Sequence, residues 1–167
     1  PPTSGTRDAF VEIVMETACL DLPEFKAEYA DKEVRKKYCH QIREDGKYIE
    51  SGENDNLIVQ KLKSNDNALG IFGFGYLDQN AATIQGAKVS GVEPTFENIA
   101  EGVYTVSRSL FIYAKREHLD KINGLRDFLK EFASDEAISD EGYLSMKGLI
   151  PLKPEKREEQ AAMLEAL

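Results

Sequence analysis

Residues 3–10, Thr3-Ser4-Gly5-Thr6-Arg7-Asp8-Ala9-Phe10, place small polar residues directly before an amphipathic stretch. Apolar residues then recur at helical spacing, which predicts a helix over residues 8–18. The first N–H groups of a helix have no partner within it, and the macrodipole adds partial positive charge there. Because Ser4 and Thr6 add hydroxyls and Gly5 permits close approach, this helix start is a candidate oxyanion site, to which Arg7 can add a guanidinium.

The same residues allow plainer interpretations. Ser4 or Thr6 can be an ordinary N-cap that faces water. A nucleophilic role for Ser4 needs a base, and neither His40 nor His118 stands in a triad or nucleophile-elbow pattern. We therefore expect binding at this helix start, without catalysis.

Outside this turn, helical and strand-like patterns alternate along the chain. Helices are predicted over residues 24–39, 54–64, 94–99, 122–132 and 154–167, and strands over 68–75, 87–89 and 103–115. This alternation predicts an α/β protein. The glycines in residues 70–75 form a partial G-x-x-G-x-G pattern, but we expect them to serve close packing and not a dinucleotide, because no helix pattern follows directly.

The charge balance excludes several classes of partner. The 167 residues include 21 Lys and Arg against 30 Asp and Glu, a net charge of −9. A chain of this sign does not attract nucleic acid or anionic lipid, and no apolar run is long enough to span a bilayer. A metal site is not expected either, because the sequence has two histidines and no Cys-x-x-Cys. A small buried oxyanion stays compatible, because donors at about 3 Å hold it.

Two further features concern processing and redox state. The sequence begins at Pro1 without Met or a hydrophobic leader, so we expect a mature fragment or a piece of a longer chain. Cys19 and Cys39 are the two cysteines. Their number leaves two alternatives open, a pair of independent buried thiols or a single disulfide.

The run of residues 3–10 resembles the second-lobe anion-binding turn of the phosphate-specific substrate-binding proteins of ABC transporters. Later segments resemble that family in the same order. These are the glycine-aromatic segment 67–76, the turn 91–95, the lobe-crossing strand 104–113, and the terminal segments 128–134 and 148–152. The resemblance extends over nearly the whole chain.

The resemblance implies a type II periplasmic-binding-protein fold, in which two α/β lobes close on a ligand. Residues 1–104 would form the second-lobe anion-binding domain, and residues 105–167 a crossover strand and helices that return to the first lobe. The N-terminal lobe of the same protein would then be missing from this sequence. Ser4, Gly5 and Thr6 would contact inorganic phosphate through hydroxyls and backbone N–H groups, and Arg7 would contact phosphate or fix the turn. Asn54 would either line the cleft or cap its helix.

The implied function is to bind inorganic phosphate and deliver it to the membrane permease of an ABC transporter, without a cofactor. The implied location is the periplasm, where oxidising conditions favour a Cys19–Cys39 disulfide. A secreted phosphatase-like hydrolase and an extracytoplasmic oxyanion sensor or adhesive binding protein are the alternatives. Three questions stay open: whether the ligand is phosphate or another oxyanion, whether this chain binds it alone, and what the oligomeric state is.

Overall fold

A computed structural model describes residues 2–166. The backbone divides into two compact units, Pro1–Gln85 and Gly86–Leu167. The predicted lobe boundary at residue 104 concerns a complete two-lobed protein, and it stays a prediction.

The first unit consists of short helices joined by loops. They are α1 (Gly5–Phe10), a π-helical segment (Val11–Glu16), α2 (Thr17–Asp21), α3 (Pro23–Glu28), α4 (Lys32–Cys39), α5 (Asp55–Ser64) and α6 (Phe74–Gln79). The helices predicted over residues 8–18, 24–39 and 54–64 are confirmed. The first is longer than predicted, because the π-helical segment connects α1 and α2 into one helical run that ends at Asp21.

A disulfide between Cys19 and Cys39 joins α2 to α4, with 5.5 Å between the two Cα atoms. It decides between the two alternatives that the sequence left open. Cys39 is 3% exposed, and Val11 and Val59 are the other buried apolar residues of this unit among those described. Since this core is small, the covalent link carries a large share of the constraint on residues 19–39.

Gly70 lies where two parts of the first unit pack closely. A Cβ at this position would lie 2.8–2.9 Å from the side chains of Phe72, Ile58 and Leu62. Close packing is therefore confirmed at Gly70, whereas a Cβ at Gly73 would meet nothing within 4 Å. The prediction that no helix directly follows these glycines was wrong, because α6 begins at Phe74, directly after Gly73.

The second unit has its own helices and its own core. They are α7 (Phe96–Ala100), a 3-10 turn (Arg116–His118), α8 (Leu125–Phe132), α9 (Asp135–Ile138), a 3-10 turn (Ser145–Lys147) and α10 (Pro154–Glu165). Its buried apolar side chains among those described are Leu119, Leu129, Ala137 and Ile138. No helix within residues 2–166 combines the length and the apolarity needed to cross a membrane.

Helix α8 begins at Leu125 and not at residue 122 as predicted. The reason is Gly124, which has a left-handed backbone with φ of 79° and so interrupts the helical pattern. At the other end of the unit, the predicted helix 154–167 is confirmed as far as Glu165, and Leu167 lies outside the described residues.

The predicted strands are not confirmed in this chain. Within residues 2–166 the β-type pairing consists of an isolated bridge between Val89 and Val92. Residues 103–115 have no helix or strand, and Leu110, Phe111 and Tyr113 are 76%, 72% and 89% exposed. A strand needs a second strand to accept and donate its backbone hydrogen bonds. Among the described residues no backbone segment supplies one, so the α/β prediction is not confirmed.

Candidate anion-binding site

Ser4 is the N-cap of α1. Its backbone is extended, with φ of −82° and ψ of 118°, and its Oγ accepts a hydrogen bond from the amide of Arg7 at 3.3 Å. Its carbonyl accepts from the amide of Asp8 at 3.1 Å. The N-cap interpretation is therefore confirmed for Ser4, and Gly5 and Thr6 occupy the first two helical positions.

The segment Ser4–Arg7, called the donor turn below, gathers hydrogen-bond donors. Position two of a helix, held by Thr6, has no carbonyl acceptor within the helix. The Ser4 hydroxyl accepts from Arg7 N and still has its own proton to donate. Ser4 and Thr6 are both half-buried. The helical run from Gly5 to Asp21 directs its partial positive charge to this end. Chemically, the turn suits a small oxyanion held by neutral donors.

Arg7 is half-buried, and its guanidinium is not committed to a carboxylate. Within residues 2–166 it forms no ion pair, and its shielded Nε has no hydrogen-bond partner. The side chain lines a surface groove together with His40, Gln41, Ile42 and Glu44. Arg7 therefore pairs with no carboxylate within residues 2–166, and its role, contact with phosphate or fixing of the turn, stays a prediction.

His40, which shares the groove with Arg7, is held by Glu16. His40 Nε2 lies 2.6 Å from Glu16 Oε2, and Lys36 Nζ lies 3.2 Å from Glu16 Oε1. The hydrogen bond from His40 lowers the pKa of Glu16 most; partial burial opposes it, and Lys36 lowers the pKa further. The imidazole thus contacts a carboxylate and not the Ser4 hydroxyl, so no nucleophile–base pair is formed by the described residues at this site.

Asn54 is the N-cap of α5, with its Oδ1 accepting from the amide of Asn56 at 3.1 Å. The capping role left open by the sequence is therefore present. The residue before it, Glu53, accepts a hydrogen bond at Oε1 from the hydroxyl of Thr3 at 2.5 Å. This contact joins the starts of α1 and α5. Sequence reasoning missed it because the two residues are 50 positions apart.

The side chains near the donor turn do not form a metal-ligand cluster within the described residues. Among residues 2–166 no three His, Cys, Asp or Glu residues are grouped so as to hold a metal ion. The arrangement consists of helix-terminal donors, two hydroxyls and a guanidinium beside them.

The sequence is similar to a known family and to several known proteins. Residues 1–136 match the family described as the PBP superfamily domain. The phosphate-binding protein PstS of Staphylococcus saprophyticus is 34% identical over 104 residues, which is 58% of this chain and 33% of that protein. PstS of Staphylococcus haemolyticus is 33% identical over 110 residues, 62% of this chain and 34% of that protein.

A third protein is similar at a lower identity. Protein SphX of Synechococcus elongatus is 28% identical over 111 residues, 62% of this chain and 31% of that protein. The chain thus spans about a third of the length of the curated relatives it matches. No solved structure matches it significantly.

Proposed function

The chain belongs to the PBP superfamily, and from this premise we propose that it is part of an extracytoplasmic phosphate-binding protein. The proposed protein binds inorganic phosphate and delivers it to the permease of an ABC transporter, and it catalyses no reaction. The observation that carries this proposal is the similarity to two proteins named phosphate-binding protein, at 33–34% identity over about 60% of the chain. The Cys19–Cys39 disulfide supports export to an oxidising compartment.

The proposed ligand contacts are those of the donor turn. Phosphate would be surrounded by the backbone N–H groups of Gly5 and Thr6 and by the hydroxyls of Ser4 and Thr6. The guanidinium of Arg7 would approach it from the adjoining groove. The capping geometry of Ser4 supports this, since it orients the first turn of the helix. Asn54 would border the same site from the start of α5.

The net charge of −9 does not oppose a phosphate ligand. Distant surface charges are screened over a Debye length of about 8 Å at physiological ionic strength. Donors within about 3 Å act on the ligand without this screening. The charge therefore affects long-range attraction of polyanions, whereas local donors decide the binding of one small anion.

For the whole protein we propose the type II α/β architecture, with residues 1–104 in the second lobe and residues 105–167 returning to the first. The exposed apolar side chains of Leu110, Phe111 and Tyr113 support this, because pairing of segment 103–115 with strands of an N-terminal lobe would bury them. Closure of the two lobes on phosphate would shift the protein toward the form that the permease recognises.

The test is a calorimetric titration of the complete protein with phosphate, followed by titrations with sulfate and molybdate. We expect saturable binding of phosphate that the other two oxyanions do not match. An assay with an aryl phosphate distinguishes the hydrolase alternative, because turnover would contradict a purely binding role. The proposal would be overturned if phosphate produced no heat of binding and did not compete with the other oxyanions.

A further inference from the structure

The donor turn is tied to a second helix start by one hydrogen bond. Thr3, the residue before the Ser4 N-cap, donates its hydroxyl proton to Glu53 at 2.5 Å. Glu53 is in turn the residue before Asn54, the N-cap of α5. Each partner is thus adjacent to a capping residue, and the bond connects the two caps of helices that are far apart in sequence.

The loop that carries Glu53 is anchored on both sides. Before it, Gly52 has a left-handed backbone with φ of 72°, and Ser51 Oγ accepts a hydrogen bond from Lys61 Nζ of α5 at 2.9 Å. After it, Asn54 caps the helix. The carboxylate of Glu53 is therefore presented from a loop that is fixed to α5, so its bond to Thr3 transmits the position of α5 to the donor turn.

We infer that Thr3 and Glu53 are positioning residues, whose hydrogen bond holds the donor turn in place against the loop that precedes α5 and so supports phosphate binding at that turn. This inference rests on the proposed function. A hydrogen bond to an ionised carboxylate is directional and stronger than one between neutral groups.

The pairing also fixes where the Glu53 carboxylate lies, although it leaves the charge of that group unchanged. A carboxylate next to an anion site repels the ligand. The Thr3 hydroxyl gives Glu53 a donor, which occupies one carboxylate oxygen and holds the group in place. Loss of the Thr3 hydroxyl would therefore release both the donor turn and the Glu53 carboxylate. Loss of the negative charge of Glu53 alone would instead favour binding of an anion.

The experiment is a double-mutant cycle in the complete protein, read out as phosphate affinity by calorimetry. Thr3→Val keeps the side-chain shape and removes the donor, and we expect about fivefold weaker binding from the loss of one hydrogen bond. Thr3→Ser keeps the donor and should bind nearly as the unchanged protein does. In a Glu53→Ala background, Thr3→Val should change affinity by less than about twofold, because the partner is already gone.

Tyr143→Phe is the matched control. It removes another exposed hydroxyl–carboxylate hydrogen bond, from Tyr143 to Glu131 at 3.2 Å, in the second unit, and it should leave phosphate affinity unchanged. Thr3→Val should also leave the thermal midpoint unchanged, since both partners are exposed.

The outcomes separate the inference from the proposed function. If the unchanged protein does not bind phosphate, the proposed function fails. If it binds phosphate and Thr3→Val binds equally well, or if the effects of Thr3→Val and Glu53→Ala simply add, the positioning role of this pair is overturned while phosphate binding stands.

Discussion

Residues 2–85 and residues 86–166 are units of similar size that keep their structure in different ways. The first unit combines a disulfide with a buried core and with capped helices, among them α4 and α5. The second unit has a buried core around Leu129 but contains a 13-residue stretch, 103–115, without helix or strand, in which Leu110, Phe111 and Tyr113 are largely exposed. The first unit therefore holds its helices with a covalent cross-link, whereas the second, which contains no cysteine, relies on non-covalent contacts.

Removing the disulfide tests this contrast with the largest expected effect. Replacing Cys19 and Cys39 by Ala should lower the free energy of unfolding by about 3 kcal/mol, because the bond closes a loop over 20 positions. Denaturant unfolding measures the loss, and hydrogen exchange locates it. Exchange should rise in residues 11–40 and stay unchanged in residues 86–166. Equal loss of protection in both units would contradict the contrast.

Gly70→Ala should have the next largest effect. The added methyl would lie 2.8–2.9 Å from three side chains, so we expect a loss of about 2 kcal/mol from overpacking. Gly73→Ala is the matched control, because nothing lies within 4 Å of its Cβ position and its φ of −67° suits alanine. Thermal unfolding of the two variants should therefore differ clearly, and equal midpoints would remove the packing role of Gly70.

Two N-cap variants test whether helix capping contributes equally to the stability of the two units. Asp31 Oδ1 accepts from the amide of Val34 at 2.9 Å in the first unit, and Ser134 Oγ accepts from the amide of Ala137 at 3.3 Å in the second. Asp31→Ala and Ser134→Ala should each lose about 1 kcal/mol. Hydrogen exchange should place each loss at its own helix. A much larger loss in one unit would show that capping is not equivalent in the two.

Acid should weaken the first unit through Glu16, with the smallest effect of the series. The hydrogen bond from His40 lowers the pKa of Glu16 below its ordinary value of 4.5 in the folded protein. The ionised form is thus favoured by folding. Its contribution is present above the unfolded pKa and is lost as the pH falls through the folded pKa. Glu16→Gln should flatten the stability of the first unit below about pH 5. An unchanged acid limb of the unfolding curve would contradict this.

The features found from the sequence depend on neighbouring residues. The cap at Ser4, the cap at Asn54 and the helix of residues 54–64 follow from short patterns of polar and apolar residues. The cysteine count allowed a disulfide, but only the folded positions of Cys19 and Cys39 show that it forms.

The features that the sequence did not predict depend on distant residues or on single backbone angles. The Thr3–Glu53 bond joins residues 50 apart, and no local pattern marks it. The predicted strand 103–115 fails because apolar, β-branched composition favours a strand only when a partner strand is present. The start of α8 differs because Gly124 has a positive φ, which residue type permits but does not require.

The most direct test of phosphate binding at the donor turn compares two threonines. Thr6→Ala removes a hydroxyl from the donor turn, whereas Thr95→Ala removes the hydroxyl that caps α7 in the second unit, where its Oγ1 accepts from the amide of Asn98 at 3.2 Å. In calorimetric titrations of the complete protein with phosphate, Thr6→Ala should weaken binding between about fivefold and about 150-fold, and Thr95→Ala should not change it. Equal phosphate affinity of Thr6→Ala and the unchanged protein would contradict the assignment of the site to this turn.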